Sequence, residues 1–299
     1  LTTSHIQDFL HHIRFEKRMS EKTCIAYAGD LHDFEQYHSD HYPEVNIEMI
    51  RLQHLRSWIA DLAGEKRLQP GSLKRKASTL KSFFKFLMRT GITVDNPAKL
   101  LRTPKASRKL PAFLETEQTE KLLREKPELL PENFEAFTRY LIMEILYQTG
   151  MRRAELAGLR ETNVEYERRQ ICVLGKRNKE RLIPVQLSLL QDIEAYISLK
   201  RKIFGKPGDN LLSLKSGKPL YPKYIYNTVR KELEKVSTLH QKSPHVLRHT
   251  FATQLSNNGA DLSAIKDLLG HSSLAATQIY THTHIEKLKE TYRRAHPKS

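Results

Sequence analysis

Three X-Pro steps, Asn96-Pro97, Thr103-Pro104 and Leu110-Pro111, crowd one short basic stretch of this 299-residue chain. Proline lacks an amide hydrogen, clashes with the preceding helical turn and drives the residue before it into extended backbone. No helix or inner strand can pass through such a stretch. The chain is therefore expected to fold as two domains, residues 1–95 and 112–299, joined by a semi-rigid linker over 96–111. Its length suits that division, and an apolar content of 39% is enough for two cores.

The first domain reads as helical. Ser20 is placed to cap a helix that carries Tyr27, Leu31 and Phe34 on one face. A third helix is expected over Ile50 to Ala63, stopped by Gly64. Pro70-Gly71-Ser72 opens a longer one that ends near Gly91, with Leu73, Leu80, Phe84 and Leu87 as its buried stripe. Lys74, Arg75, Lys81 and Lys85 lie off that stripe. They form either a solvated basic face or a surface that follows phosphates, which fix position without reading sequence.

The second domain reads as mainly α with a small sheet. Phe134 to Thr149 is apolar at helical period and is expected to be a buried helix. From Arg169 to Val185 the pattern changes to that of two strands, carrying Ile171, Val173, Leu182, Ile183 and Val185 around a turn at Gly175 to Lys179. Lys176 then sits at a hairpin tip. Helices resume to the end.

Charge narrows the partners. Fifty Lys and Arg against 34 Asp and Glu leave a net charge of +16, the electrostatic footprint of a polyanion binder. Cys24 and Cys172 form no CxxC pair, which argues for a reduced compartment, hence the cytoplasm, over a disulfide framework. No apolar run approaches a membrane span, and LTTSHIQDFL has no cationic flank with an apolar core, so neither a membrane anchor nor a signal peptide is expected. The absence of an initial Met suggests that the numbering starts inside a longer chain. There is no phosphate-binding glycine loop and no HExxH zinc pattern. His282 and His284 alternate as metal ligands can, but no third ligand is evident, so neither metal nor cofactor is expected.

Six dispersed residues carry the chemistry: Arg152 in TGMRRAEL, Lys176 in VLGKRNKERLIPV, His245 and Arg248 in HVLRHTFAT, His271 in LLGHSSL and Tyr280 in TQIYTH. A guanidinium never loses its charge near neutrality and offers a planar fork for two oxygens of an attacked phosphodiester. Two forks from different helices would clamp the group during transfer. Either Arg152 or its neighbour Arg153 can supply one of them, because successive helical residues point about 100° apart. Glu155, one turn on, reads as the holder of a basic neighbour. His245 and Arg248, three apart, share a helical face that starts at Pro244 with Ser243 as its cap. His245 suits a donor to a phosphate oxygen or a proton handler. His271 follows Gly270, which reads as a helix terminator, and can donate to the same group. Tyr280 is the candidate nucleophile. Only about one phenol in a thousand is ionised at neutral pH, so it needs nearby cations or a base. Lys176 has the reach to protonate the leaving 5′ oxygen.

Taken together, TG-x-R-x-x-E-L, G-K-x-N-K-E-R, H-x-L-R-H-T-F-A-T, L-G-H-S and T-x-I-Y-T-H resemble the tyrosine site-specific recombinases of the phage-integrase superfamily, nearest to the Xer type. The resemblance spans nearly the whole chain. It implies a helical core-binding (SAM-like) domain and an α+β catalytic domain that clamp duplex DNA. It selects Arg152 over Arg153 and makes Arg152, Lys176, His245, Arg248 and His271 the activating set around the nucleophile Tyr280. It implies cleavage through a 3′-phosphotyrosyl intermediate and a Holliday junction, with no cofactor. The implied partners are a duplex with inverted half-sites and a homo- or hetero-tetramer on two sites, in which each C-terminal helix docks on a neighbour. A sister recombinase and a DNA translocase complete a chromosome-dimer resolution system in the nucleoid. Integration or transposition of a mobile element, a topoisomerase-like activity and a non-catalytic DNA-binding accessory role are the competing readings.

Overall fold

The computed structural model describes residues 3–104, 112–175, 180–205, 208–240, 242–270 and 282–297, with backbone alone for Thr3 and 282–288. The chain forms two compact units, Leu1–Lys109 and Leu110–Ser299. Among the described residues, no helix is long and apolar enough to cross a membrane.

The first unit is built from α1 (Thr3–His11), α2 (Glu21–His41), α3 (Leu52–Gly64) and α4 (Pro70–Arg89). The Ser20 hydroxyl accepts the Thr23 amide at 3.3 Å and starts α2, and Pro70 occupies the first turn of α4, where its missing N–H costs nothing. Leu73, Leu80, Phe84 and Leu87 of α4 are buried, and they meet Phe9, Phe34 and Trp58 in one core. Burying apolar side chains such as these gains roughly 2 kcal/mol each before entropy is counted. Lys76 also turns inward. Its Nζ sits 2.5 Å from Asp33 Oδ2 and 3.1 Å from Asp30 Oδ1, and 5.4 Å from the Trp58 ring centroid. A buried ammonium survives only when paired in this way. One boundary needs correction. Ala98 and Leu101 are buried in this core, and Asn96 Nδ2 donates to the Lys81 carbonyl at 3.1 Å. The stretch expected as linker therefore packs on the first unit as far as Leu101, because its apolar residues find a surface to cover.

The second unit contains α5 (Thr116–Leu123), α6 (Phe134–Thr149), α7 (Arg153–Ala157), β1 (Val164–Glu165), β2 (Gln170–Leu174), β3 (Glu180–Pro184), α8 (Leu187–Phe204), α9 (Pro222–Val236), α10 (Pro244–Asn257), α11 (Leu262–Leu269) and α12 (His282–Ala295). The three strands pair antiparallel in chain order, with Ile171 opposite Ile183 and Val173 opposite Arg181. Strand alternation then puts Arg181 and Ile183 on the inner face and Leu182 on the outer one. An arginine thus takes one of the inner places of the strand expected at Leu182, Ile183 and Val185. α6 is the central helix, with Leu141, Ile142, Ile145 and Leu146 all buried.

α12 closes the core. Tyr292 donates its hydroxyl to the Gln148 carbonyl at 3.1 Å, His296 stacks on Tyr292 at 4.7 Å, and Asn258 Nδ2 donates to the Ala295 carbonyl at 2.7 Å. The terminal segment expected to dock on a neighbouring protomer thus packs on its own unit in the single chain. Tyr292, Ala295 and His296 would otherwise leave their apolar surface in water.

Candidate active site at the end of α11

Two helices end at glycines that adopt left-handed backbone, and the site grows from those two ends. Gly150 follows α6 with φ +57°, and Gly270 follows α11 with φ +63°. Either conformation disfavours a side chain. Space is short as well: a Cβ on Gly150 would clash, at 2.6 Å from Phe251 Cδ1 and 2.9 Å from Leu269 Cδ2, and one on Gly270 would press on Arg181 Cδ at 3.0 Å.

The turn at Gly150 sends the chain through Met151, which is buried, to Arg152 at the cap position of α7. Glu155 reaches back to it. The Arg152 amide donates to Glu155 Oε2 at 2.7 Å, and Arg152 Nη1 donates to Oε1 at 2.8 Å. Arg181 enters from β3 and grips the same carboxylate, Nη1 to Oε1 at 3.1 Å and Nη2 to Oε2 at 2.8 Å. Arg248 enters from α10, buried, and donates Nη1 to the Gly150 carbonyl at 2.6 Å.

The three arginines then meet three successive carbonyls at the end of α11. Arg181 Nε donates to Leu268 O at 2.9 Å, Arg248 Nη2 to Leu269 O at 2.6 Å, and Arg152 Nη2 to Gly270 O at 3.2 Å. The last carbonyls of a helix lack intrahelical donors and carry the negative end of its dipole, so cations belong there.

Among the described residues, three guanidinium groups meet one carboxylate, Glu155, which leaves those four side chains with two net positive charges. Burial, then the charges of Arg152 and Arg181, push the Arg248 pKa down to about 10, so it stays charged at neutral pH. Burial alone would raise the Glu155 carboxyl, but hydrogen bonds and charge from Arg181, followed by those from Arg152, outweigh it and hold its pKa below the usual carboxylate range. Desolvation by surrounding protein, followed by the charges of Arg248, Arg153, His249 and Arg152, holds His245 below the usual imidazole pKa. His245 is otherwise exposed, at the first turn of α10. That helix starts at Pro244, with Ser243 at the cap position but no side-chain capping bond. A compact cation pair beside a neutral imidazole can hold an anion and accept a proton next to it.

Of the six candidate residues, the structure brings Arg152 and Arg248 together on adjacent carbonyls and sets His245 three residues before Arg248 on α10. Lys176, His271 and Tyr280 lie outside the described residues, as does the turn at 176–179. Arg153 is turned to α9, with its guanidinium 5.5 Å from the Tyr226 ring centroid. Glu155 holds not one basic neighbour but two. Arg181 escaped the sequence reading; the available signal was its spacing of two from Ile183 and four from Val185, which places it on the apolar face of the strand. In the first unit, Lys74 and Lys85 are exposed and Lys81 half-buried, seven and four residues apart on one face of α4. Arg75 faces α2 instead and is ion-paired to the buried Asp30, with a further bond to the Ala26 carbonyl at 3.3 Å. Among the described residues, no group of three or more His, Cys, Asp and Glu is arranged to hold a metal.

Comparison with known proteins gives a consistent result. Residues 112–287 match the phage integrase family, and residues 6–91 match the phage integrase N-terminal SAM-like domain. Tyrosine recombinase XerC of Listeria innocua serovar 6a is 35% identical over 296 residues, covering 97% of each chain. Tyrosine recombinase XerD of Staphylococcus haemolyticus is 33% identical over 296 residues, covering 98% of this chain and 99% of that one. In fold, the XerH site-specific recombinase bound to difH substrate, in its pre-cleavage complex, aligns with a TM-score of 0.69 at 23% identity, over 97% of this chain and 84% of that chain.

The glycine at the end of α6 gives a direct check on this geometry. Gly150→Ala should lower stability by about 2–3 kcal/mol, through left-handed strain and overpacking against Phe251 and Leu269. Urea unfolding measures it, and a change below a few tenths of a kcal/mol would contradict the packing described.

Proposed function

The chain belongs to the phage integrase family, and on that premise we propose that it is a site-specific DNA recombinase of the Xer type, acting through a covalent tyrosyl intermediate. The observation that carries the reading is the pair Arg152 and Arg248, fixed on the successive carbonyls of Gly270 and Leu269 at the residue that precedes His271. The extent of the similarity supports it, since the XerC and XerD relatives are matched over nearly their full length.

In this mechanism the scissile phosphate sits against the two guanidinium groups, which balance the charge that gathers on its nonbridging oxygens. The Tyr280 hydroxyl attacks phosphorus and yields its proton to His245, whose lowered pKa keeps the ring neutral near pH 7. The bond from phosphorus to the 5′ oxygen breaks, Lys176 supplies the proton to that oxygen, and a 3′-phosphotyrosine remains. His271 donates to a nonbridging oxygen. The 5′ hydroxyl of a partner duplex then reverses the step: it returns its proton to Lys176 as it attacks the phosphotyrosine, and the phenol leaves with the proton from His245. One diester is exchanged for another, so no nucleotide is consumed.

The substrate in this reading is duplex DNA with inverted half-sites, held by a tetramer on two sites. Lys74, Lys81 and Lys85 follow phosphates from one face of α4. Arg75 serves chiefly to brace α2 against α4 through Asp30. The tail from Ile285 through Pro297, whose residues Tyr292, Ala295 and His296 pack on their own unit in the single chain, is the segment we assign to a neighbour in the assembled tetramer. A sister recombinase, a DNA translocase and chromosome-dimer resolution in the nucleoid complete the reading.

A duplex nicked near the cleavage point traps the intermediate, because the short 5′ fragment diffuses away. The wild-type protein should form a denaturant-resistant adduct with it, and Tyr280→Phe should form none. An equal yield from that variant would move the nucleophile elsewhere. The same assay reads His245. Because the neutral ring is the competent form and its pKa lies below the usual 6.5 or so, cleavage is present at neutral pH and is lost as pH falls through that lowered value. His245→Asn should slow cleavage and abolish this acid limb; an unchanged limb would remove His245 from proton transfer.

A further inference from the structure

Arg181 is a buried cation that plays no part in the mechanism set out above, yet it touches both supports of the arginine pair. One support is Glu155. A carboxylate offers about four lone-pair positions, and four N–H groups fill them here. Oε1 accepts from Arg152 Nη1 and Arg181 Nη1, and Oε2 accepts from the Arg152 amide and Arg181 Nη2. The other support is the end of α11. Arg181 Nε takes the Leu268 carbonyl, immediately before the two carbonyls that hold Arg248 and Arg152.

We propose that Arg181 is a positioning residue for strand cleavage: through Glu155 it fixes Arg152 and preserves its positive charge for the phosphate, and through Leu268 it fixes the helix end on which Arg152 and Arg248 rest. The inference rests on the recombinase reading given above. With Arg181 present, one carboxylate is shared between two guanidinium groups, and the three-arginine cluster keeps two net positive charges. Without it, Glu155 pairs with Arg152 alone and cancels its charge where the phosphate needs it. A second consequence follows from the chain path. Arg181 lies on β3, directly after the connection that carries Lys176, so the same side chain ties that strand to the arginine cluster. Arg181 is too deeply buried to contact DNA itself; its side chain is 4% exposed.

The test compares two substrates. One is the nicked duplex with its natural scissile phosphodiester. The other carries a methylphosphonate at that position, which is neutral and has less charge for the arginines to balance. On the phosphodiester, Arg181→Gln should cleave about 100-fold more slowly than wild type, the loss typical of a misplaced transition-state donor. Its DNA affinity should stay within about threefold, since a role confined to the transition state leaves ground-state binding alone. On the methylphosphonate, the gap between wild type and variant should shrink to within about threefold, because the missing charge no longer matters. Arg181→Lys keeps a cation beside Glu155 but loses the two-pronged grip, and it serves if the glutamine variant does not fold. It should fall about tenfold short of wild type on the phosphodiester and close most of that gap on the methylphosphonate. An equal deficit on both substrates, in a variant that unfolds cooperatively, would make Arg181 a purely structural residue and overturn the proposal. Wild-type protein that forms no adduct on the phosphodiester would instead bring down the recombinase reading itself, and that arm is read first.

Discussion

The end of helix α11 is the constraint on which the site depends. Its last three carbonyls, Leu268, Leu269 and Gly270, each take one arginine, drawn from β3, α10 and the cap of α7 respectively. Helix-terminal carbonyls are acceptors without intrahelical donors, and the helix dipole makes them negative. They therefore hold cations at defined spacing without an excess of carboxylates to quench them. A cluster organised by acidic side chains alone would be neutral. Among the described residues, this one has a single carboxylate for three guanidinium groups, which leaves the positive field that the proposed attack on a phosphate requires.

The rest of the second unit keeps that helix end in place. α6 runs through the core and stops at Gly150, whose carbonyl takes the other arm of Arg248. Close approach of Phe251 and Leu269 to Gly150 locks α10 and α11 against the same turn. Tyr292 and His296 seal the far side, one hydrogen-bonded to the Gln148 carbonyl near the C-terminus of α6. Catalytic precision in this protein is thus a property of packing between helix ends. In the proposed mechanism two further groups follow in the chain: Lys176 after β2, and His271 directly after Gly270.

Much of the fold was legible because local signals agreed with burial. The apolar period of Phe134 to Thr149, the cap at Ser20 and the stripe from Leu73 to Leu87 each point to one element, and tertiary packing does not oppose them. The misreadings share a cause. Arg181 sits in a run of basic residues, KRNKER, that reads as a solvated hairpin, and only strand register turns it inward. Lys76 looks like one more surface lysine of α4 until Asp30 and Asp33 of another helix are brought against it. Arg75 likewise has a partner forty-five residues away. Such long-range charge pairs leave no periodic trace. The packing of Ala98 and Leu101 escaped notice for a related reason: proline breaks a helix but does not prevent the chain beside it from covering apolar surface. The six candidate site residues are legible only through the joint order of their motifs, since each alone has an ordinary structural explanation.

The central claim is that arginines held by the end of α11 are the groups that receive the scissile phosphate. A crystal structure of the protein on a duplex with vanadate at the cleavage position tests it most directly, because vanadate adopts the five-coordinate geometry of the transfer. The account predicts nitrogens of Arg152 and Arg248 within about 3 Å of the equatorial oxygens, with both side chains still donating to the Gly270 and Leu269 carbonyls and Tyr280 in line as an apical ligand. Vanadate bound with those two guanidinium groups turned away, or with the carbonyl bonds broken to reach it, would contradict the account.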